Sequence, residues 1–140
     1  MKIYTIGYSG KTKDQFMEVL DAVDIHTVID VRLWRGSKFV EWASEKSLAD
    51  TFGNRYKQMS DLCPTHELLV GYKDGTVDWS GYERVFGGLI SERKIEKLFD
   101  ENNLNGACFL CAEKTADKCH RRLIAEYLAT HFPDVKIVHL

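Results

Sequence analysis

The sequence predicts an α/β fold of three layers, in which helices cover both faces of a mostly parallel sheet. Several short runs are almost continuously apolar, which is typical of strands that are buried on both faces. Segments with apolar residues at helical spacing separate these runs, and this alternation of strands and helices favours parallel pairing. The length of 140 residues fits one domain, so we predict a single domain over residues 1–140.

The first half of the chain predicts five elements. Residues 2–6 form an apolar run that Gly7 ends, which indicates a first strand. Thr12 is a suitable N-cap for a helix over about residues 13–23, where the apolar residues have helical spacing. The pattern then predicts a strand over residues 26–32, a helix over 39–52 and a short strand over 56–59.

The second half begins with a less regular segment. Residues 60–79 contain Pro64, Gly71 and the pair Asp74-Gly75, so we predict a loop or an irregular insert there. Two helical faces follow, formed by Tyr82, Val85, Phe86, Leu89 and Ile90 and then by Ile95, Leu98 and Phe99.

Turn residues, capping residues and apolar runs indicate the last three elements clearly. The turn Asn105-Gly106 precedes a strand over residues 107–112. Thr115 or Asp117 is predicted to cap the next helix, which ends at Phe132-Pro133. Residues 135–140 form the last predicted strand.

Composition limits the classes of function. The net charge is −2, from 19 Lys and Arg against 21 Asp and Glu, so the basic surplus of a nucleic-acid-binding protein is missing. A local basic patch is left open by Arg32, Arg35 and Lys38 in one segment and by Arg121 and Arg122 in another; the alternative is that these are solvated helix faces.

The chain is predicted to be a cytoplasmic protein. No apolar run approaches the ~20 residues of a membrane span, and the start of the chain reaches Gly7 too early for a secretory signal. The four cysteines are accordingly predicted to be thiols and not disulfides.

Polar residues follow the predicted strands at their carboxyl ends. The segment Gly7-Tyr8-Ser9-Gly10 follows the first strand, Asp30 and Arg32 end the second, and Glu113 and Cys119-His120-Arg121 follow the strand over 107–112. Parallel strands share one carboxyl edge, where open α/β sheets bind ligands. We therefore expect Asp30 and Glu113 to open into the same cavity.

Two of these segments have an ordinary alternative. The backbone amides of Gly7, Tyr8 and Ser9 are candidates for an anion cradle, and the alternative is a plain tight turn. Asp30 is a candidate base or a partner that orients Arg32; the alternative is a structural salt bridge or a helix cap.

Cys119-His120-Arg121 is the strongest local signal. These residues are predicted in the first turn of a helix, where the dipole favours negative charge and lowers the pKa of a thiol to ~3.5–7.5. His120 and Arg121 add positive charge or hold an anionic ligand. The alternative is a buried cysteine followed by two basic surface residues.

Redox and zinc chemistry are not predicted. Cys108 and Cys111 have CxxC spacing, but inside a strand two positions three apart face opposite sides of the sheet. Zinc bound by Cys111, Cys119 and His120 would lack both the spacing of structural zinc sites and a clear fourth ligand. We therefore predict no metal and no cofactor.

Taken together, the motifs resemble the bacterial and archaeal domain-of-unknown-function 488 family. The shared motifs are Thr5-Ile6-Gly7-Tyr8-Ser9, Asp30-Val31-Arg32, Trp79 with Tyr82, Leu110-Cys111-Ala112-Glu113, Cys119-His120-Arg121 and Val138-His139-Leu140. The resemblance implies a Rossmann-like domain in which these motifs line one pocket. The chain departs from the family pattern after Arg32, where the family has a proline, and after Tyr56, where it has a Pro-Glu-Leu-Gly-like segment.

Two functional hypotheses follow. The first is an enzyme that acts on a nucleotide, a nucleic-acid base or another small anionic substrate. In this hypothesis, Arg32 and Arg121 bind the anionic group of the substrate. Cys119 is the predicted nucleophile or acid, and Glu113 or Asp30 is the general acid/base. His120 or Tyr8 assists them. The alternative is a binding or sensor module that uses the same pocket without chemistry.

Overall fold

One five-stranded sheet forms the centre of the molecule. The structure is a computed structural model that describes residues 1–36 and 39–140. Its strands are β1 (Lys2–Gly7), β2 (Thr27–Asp30), β3 (Tyr56–Gln58), β4 (Ala107–Cys111) and β5 (Lys136–His139). They lie in the order β3-β2-β4-β1-β5, and each neighbouring pair is parallel. The predicted α/β class with a parallel sheet is confirmed.

Helices connect the strands. They are α1 (Lys13–Asp21), α2 (Glu45–Phe52), α3 (His66–Lys73), α4 (Trp79–Arg93), α5 (Glu101–Leu104) and α6 (His120–His131). In the part of the chain that the structure describes, short 3-10 segments lie between them at Glu41–Ala43, Gly53–Arg55, Ser60–Leu62 and Ile95–Leu98. Within the described ranges, no helix combines the length and the apolar character that crossing a membrane requires.

The two faces of the sheet carry separate apolar clusters. Because side chains alternate along a strand, Phe109 and Cys111 of β4 lie on one face and Cys108 and Leu110 on the other. The first face packs against α3, α4 and α6, and the second against α1 and α2. This arrangement confirms the three layers. It also confirms that Cys108 and Cys111 diverge.

The predicted loop over residues 60–79 is wrong, because it contains helix α3. Thr65 caps this helix by accepting a hydrogen bond from the Leu68 amide, and Asp74 is the C-cap. Pro64 therefore lies just outside the helix, and Asp74-Gly75 follows its last turn. The turn-forming residues mark the two ends of a short helix and do not form a continuous loop.

Two further predictions need correction. Helix α6 begins at His120 with Cys119 at the N-cap, so neither Thr115 nor Asp117 caps it. Val85 is 47% exposed and does not belong to the buried face of α4, which consists of Tyr82, Phe86 and Ile90.

The role of Thr65 leads to a test of the corrected region. Thr65→Ala removes the oxygen that accepts from the Leu68 amide, so we expect the free energy of unfolding to fall by about 1 kcal/mol. Urea denaturation monitored by circular dichroism measures it. The control is Thr115→Ala, an exposed position that caps no helix, where the expected change is within about 0.5 kcal/mol. Equal effects of the two substitutions would contradict the assignment of the cap.

Candidate active site at the carboxyl edge of the sheet

A cavity of about 190 Å³ lies at the carboxyl edge of the sheet, on the face covered by α3, α4 and α6. Its lining includes four residues that the sequence singled out, which are Arg32, Glu113, Cys119 and His120. The ends of β2 and β4 and the start of α6 therefore meet around one pocket. The roles predicted for Glu113, Cys119 and His120 stay predictions.

The buried part of this pocket is formed by two thiols and an imidazole. Cys111 ends β4, Cys119 is the N-cap of α6, and His120 is the first residue of that helix. The loop between Cys111 and Cys119 turns back on itself, so that the two sulfurs and a ring nitrogen of His120 all lie within 4.8 Å of one another. We call these three residues the Cys-Cys-His cluster. All three are at least nine-tenths buried.

The His120 ring is held from two sides. Its Nε2 lies 2.6 Å from the carbonyl oxygen of Val31, and its Nδ1 lies 3.8 Å from the sulfur of Cys111. The ring of Phe86 packs edge-on against it at a centroid distance of 5.4 Å. The orientation of the imidazole toward Cys111 is therefore fixed by packing and by a backbone hydrogen bond.

The proximity of these groups changes their pKa values. A hydrogen bond from the Cys119 thiol, assisted by His120, holds the pKa of Cys111 well below its ordinary value. The same hydrogen bond and burial raise the pKa of Cys119. Burial alone lowers the pKa of His120, but the neighbouring Cys111 sulfur outweighs it and raises that pKa. The thiolate that the sequence predicts at Cys119 is therefore favoured at Cys111 instead.

Asp30 does not open into the pocket. It is fully buried and accepts hydrogen bonds from Nε of Arg32 at 2.9 Å, from Nη2 of Arg32 at 2.7 Å and from the hydroxyl of Tyr56 at 2.5 Å. The expectation that Asp30 and Glu113 share a cavity is therefore wrong for Asp30. Its alternative interpretation, a structural salt bridge, describes the observed geometry.

The same salt bridge occupies Arg32. Its Nη1 donates to the carbonyl oxygen of Ala43 at 2.8 Å, and only 4% of the residue is exposed. Burial alone lowers the pKa of Arg32, but the bonds to Asp30 more than offset it, so the guanidinium stays charged. Burial and the bond to Asp30 raise the pKa of Tyr56 to about 12. Arg32 lines the pocket with its charge already paired.

Arg121 forms hydrogen bonds that link neighbouring segments at the carboxyl edge of the sheet, outside the pocket lining. It is fully buried, and its Nη1 donates to the carbonyl oxygen of Glu113 at 2.7 Å while Nε donates to the hydroxyl of Thr5 at 3.3 Å. The Thr5 hydroxyl lies 2.6 Å from Nδ1 of His139. Arg121 thus connects the loop after β4 with β1 and β5, and its guanidinium does not line the pocket.

The loop after β1 pairs with the loop after β4. The amide of Tyr8 donates to the carbonyl oxygen of Cys111, and the amide of Ser9 donates to that of Ala112. These two amides are therefore not available to an anion, and the predicted cradle over Gly7, Tyr8 and Ser9 is wrong for them. The ring of Tyr8 instead lies over the guanidinium of Arg32, 5.3 Å from it.

Aromatic side chains form the walls of the pocket. Trp34, Tyr72 and Tyr82 line it, and Tyr82 also stacks on Trp79 at a centroid distance of 5.1 Å. Lys73 lies over the ring of Trp34 at 5.9 Å. Sequence reasoning missed Tyr72 and Lys73 because both lie in α3, within the segment that was predicted to be irregular.

The opening of the pocket carries charge of both signs. Lys73, Lys118 and Glu113 line it and are exposed. Two of the basic residues that left a patch open in the sequence are paired: Arg35 contacts Glu45 at 3.4 Å and Arg122 contacts Glu83 at 2.9 Å. Lys38, another of these residues, lies outside the described residues.

A family model described as "Domain of unknown function DUF488" matches residues 12–128. The chain belongs to this family. The resemblance inferred from the motifs is confirmed, and the matched DUF488 region contains Asp30, Arg32, the Cys-Cys-His cluster and all the lining residues of the pocket. The motifs around Gly7 and His139 lie outside the matched region. No curated protein matches this DUF488 chain, and no solved structure does.

Proposed function

We propose that this protein is an enzyme that acts on a small substrate with a planar ring and an anionic group, the class that includes nucleobases and nucleotides. The observation that carries the proposal is the Cys-Cys-His cluster in the buried part of an aromatic-walled pocket. Thiols and imidazoles are among the side chains most often used for nucleophilic and proton-transfer chemistry.

The size and walls of the pocket support a small planar substrate. Its volume of about 190 Å³ is below the ~300–1,000 Å³ that is typical of sites for drug-sized ligands. A single ring system, or only the reactive end of a larger molecule, suits such a space. Trp34 and Tyr72 offer aromatic faces on which a ring can stack, and base-aromatic stacking contributes about 1–3 kcal/mol per base.

The charges at the opening support an anionic group on the substrate. The sequence hypothesis gave this role to Arg32 and Arg121, but both guanidinium groups are buried and bonded to protein oxygens. Lys73 and Lys118 are exposed beside the pocket and replace them in the proposal. Glu113 lies among them and remains the candidate general acid/base.

The binding part of the proposal is tested with free nucleobases, nucleosides and nucleoside monophosphates, each titrated by calorimetry. We expect the monophosphates to bind more tightly than the uncharged members. Lys118→Ala should weaken monophosphate binding by about two- to fivefold at low salt and leave the bases unaffected. Trp34→Ala should weaken the binding of every ligand by at least about fivefold. Lys97→Ala, at an exposed lysine outside the pocket, is the matched control.

The catalytic part is tested by mass spectrometry of each bound ligand after incubation with the protein. We expect a converted product from wild-type protein and none from Cys119→Ser, with ligand binding retained. Saturable binding without any product would favour the alternative, a non-catalytic binding or sensor module. Conversion by Cys119→Ser at the wild-type rate would contradict the role of the cluster.

The proposal includes a cytoplasmic location. All four cysteines are free and buried, which is common in proteins of reducing compartments.

A further inference from the structure

The donor atoms of the Cys-Cys-His cluster have the spacing that a tetrahedral metal ion requires. With Zn–S bonds of about 2.3 Å and Zn–N bonds of about 2.0 Å, a sulfur and a nitrogen bound to one tetrahedral zinc ion lie about 3.5 Å apart. The sulfur of Cys111 and Nδ1 of His120 are 3.8 Å apart, and the three donor atoms fit within 4.8 Å. Small side-chain adjustments suffice to bring all three to one ion.

His120 is oriented as a metal ligand. The carbonyl oxygen of Val31 only accepts hydrogen bonds, so the 2.6 Å contact places a hydrogen on Nε2. In the neutral ring, the lone pair is then on Nδ1, the nitrogen that faces Cys111. Metal-bound histidines almost always donate their other N–H to a carbonyl or a carboxylate in this way.

The position of Cys119 suits a thiolate ligand. Cys119 is the N-cap of α6, where the helix dipole stabilises negative charge. The carbonyl oxygen of Val31, directly after β2, holds the third donor residue, His120, in place.

Charge and chemical softness select the ion. Two thiolates, a neutral imidazole and a divalent cation sum to zero charge, which suits a site that is nine-tenths buried. Sulfur and imidazole donors favour zinc over magnesium or calcium. Three protein ligands are the number found in catalytic zinc sites, where the fourth position holds water or substrate.

We propose that Cys111, Cys119 and His120 bind one zinc ion whose fourth coordination position opens into the pocket. All three residues line that cavity, so an ion between them is accessible to a small substrate from the pocket side. The sulfurs bind as thiolates, and the protons that the cluster carries before binding pass to solvent. The inference deepens the proposed function by naming the reactive centre, and its test uses no substrate.

The sequence spacing excludes only a structural zinc site with four protein ligands. Cys111 and Cys119 are separated by a loop, and the histidine is next to the second cysteine, which is not the spacing of zinc fingers. A site with an open position needs no fourth protein ligand. The missing fourth protein ligand therefore does not exclude zinc from this pocket.

Cobalt titration of the untagged, reduced and chelator-treated full chain tests the site. We expect one equivalent of Co²⁺ to bind with the strong visible bands of tetrahedral cobalt and a sulfur-to-cobalt charge-transfer band. Zinc should displace the cobalt and protect two thiols from a thiol reagent. Azide, as a small anion, should shift the visible bands by entering the fourth position.

Variants show whether cobalt binds at the Cys-Cys-His cluster or at another cysteine. Cys111→Ser, Cys119→Ser and His120→Asn should each lose most of the charge-transfer band or bind cobalt at least about tenfold more weakly. Cys108→Ala, at a thiol on the opposite face of the sheet, should bind as wild type does. Circular dichroism checks that each variant is folded, and the thiol protection of wild-type protein gives a result that needs no variant.

The outcomes distinguish the two proposals. A wild-type protein without a charge-transfer band, or a Cys119→Ser variant whose band and cobalt affinity both equal those of wild type, overturns the zinc site. Cobalt binding without an azide shift overturns its open position. If cobalt binds as expected and no ligand is converted, the zinc site stands and the proposed enzymatic function fails. Conversion by a protein that binds no metal gives the reverse result.

Discussion

Gly7→Ala is expected to destabilise the protein by at least about 4 kcal/mol, the largest effect of any single substitution predicted for this chain. A Cβ atom at Gly7 would lie 1.6 Å from the carbonyl oxygen of Glu113 and 3.0 Å from Nη1 of Arg121. Arg121 holds that carbonyl by a 2.7 Å hydrogen bond, and Gly7 is in register with Cys111 across the β1–β4 pair. Neither backbone can move away without breaking the edge of the sheet.

Chemical denaturation of Gly7→Ala and of a matched alanine variant measures this effect. Gly88 lies inside α4, is exposed, and has no atom within 4 Å of an added Cβ. Gly88→Ala should therefore raise the free energy of unfolding by about 0.5–1 kcal/mol, because alanine is the better helix former. If Gly7→Ala were as stable as wild type, the close approach of the two loops would be refuted.

Asp30→Leu is expected to lower the free energy of unfolding by about 3–5 kcal/mol. The substitution leaves the guanidinium of Arg32 buried without a carboxylate, next to the carbonyl oxygen of Ala43 and the ring of Tyr8. It also removes the acceptor of the Tyr56 hydroxyl. An uncompensated charge in the interior is far more costly than the loss of an ion pair in solvent.

The double variant Asp30→Leu/Arg32→Met shows whether the unpaired charge is the cause. Replacing both members of a buried pair by apolar residues is often nearly neutral, so the double variant should regain most of the lost stability. Glu45→Gln, which weakens the exposed pair with Arg35, should change stability by less than about 1 kcal/mol. A double variant as unstable as Asp30→Leu would instead implicate packing around Asp30.

The fold was predictable where hydrophobic periodicity is strong. The apolar runs of β1, β2 and β4 and the capped start of α1 were correctly predicted, since each combines a clear period with a turn or capping residue. Helix α3 was not, because it is only eight residues long and is bounded by Pro64 and Asp74-Gly75. Residue-type preferences over so short a segment are outweighed by turn residues at its ends.

The site was predictable in location but not in its pairings. Parallel topology correctly placed Arg32, Glu113 and Cys119 around one pocket. Parallel topology did not indicate that Asp30 and Arg32 neutralise each other. Alternation along β2 also directs Asp30 to the opposite face of the sheet from the Cys-Cys-His cluster. Cys111 was missed as a site residue, because its proximity to His120 depends on the path of the connecting loop, which no periodic pattern encodes.

The strand order has a consequence for how the chain is made. Among the described strands, β1 pairs with β4 and β5 alone, and both of these follow it late in the sequence. At about 5–20 residues per second, the ribosome needs roughly 5–20 s to extend the nascent chain from β1 to β4. Throughout that interval β1 has no partner strand, so we expect the nascent protein to depend on holding chaperones until β4 and β5 emerge.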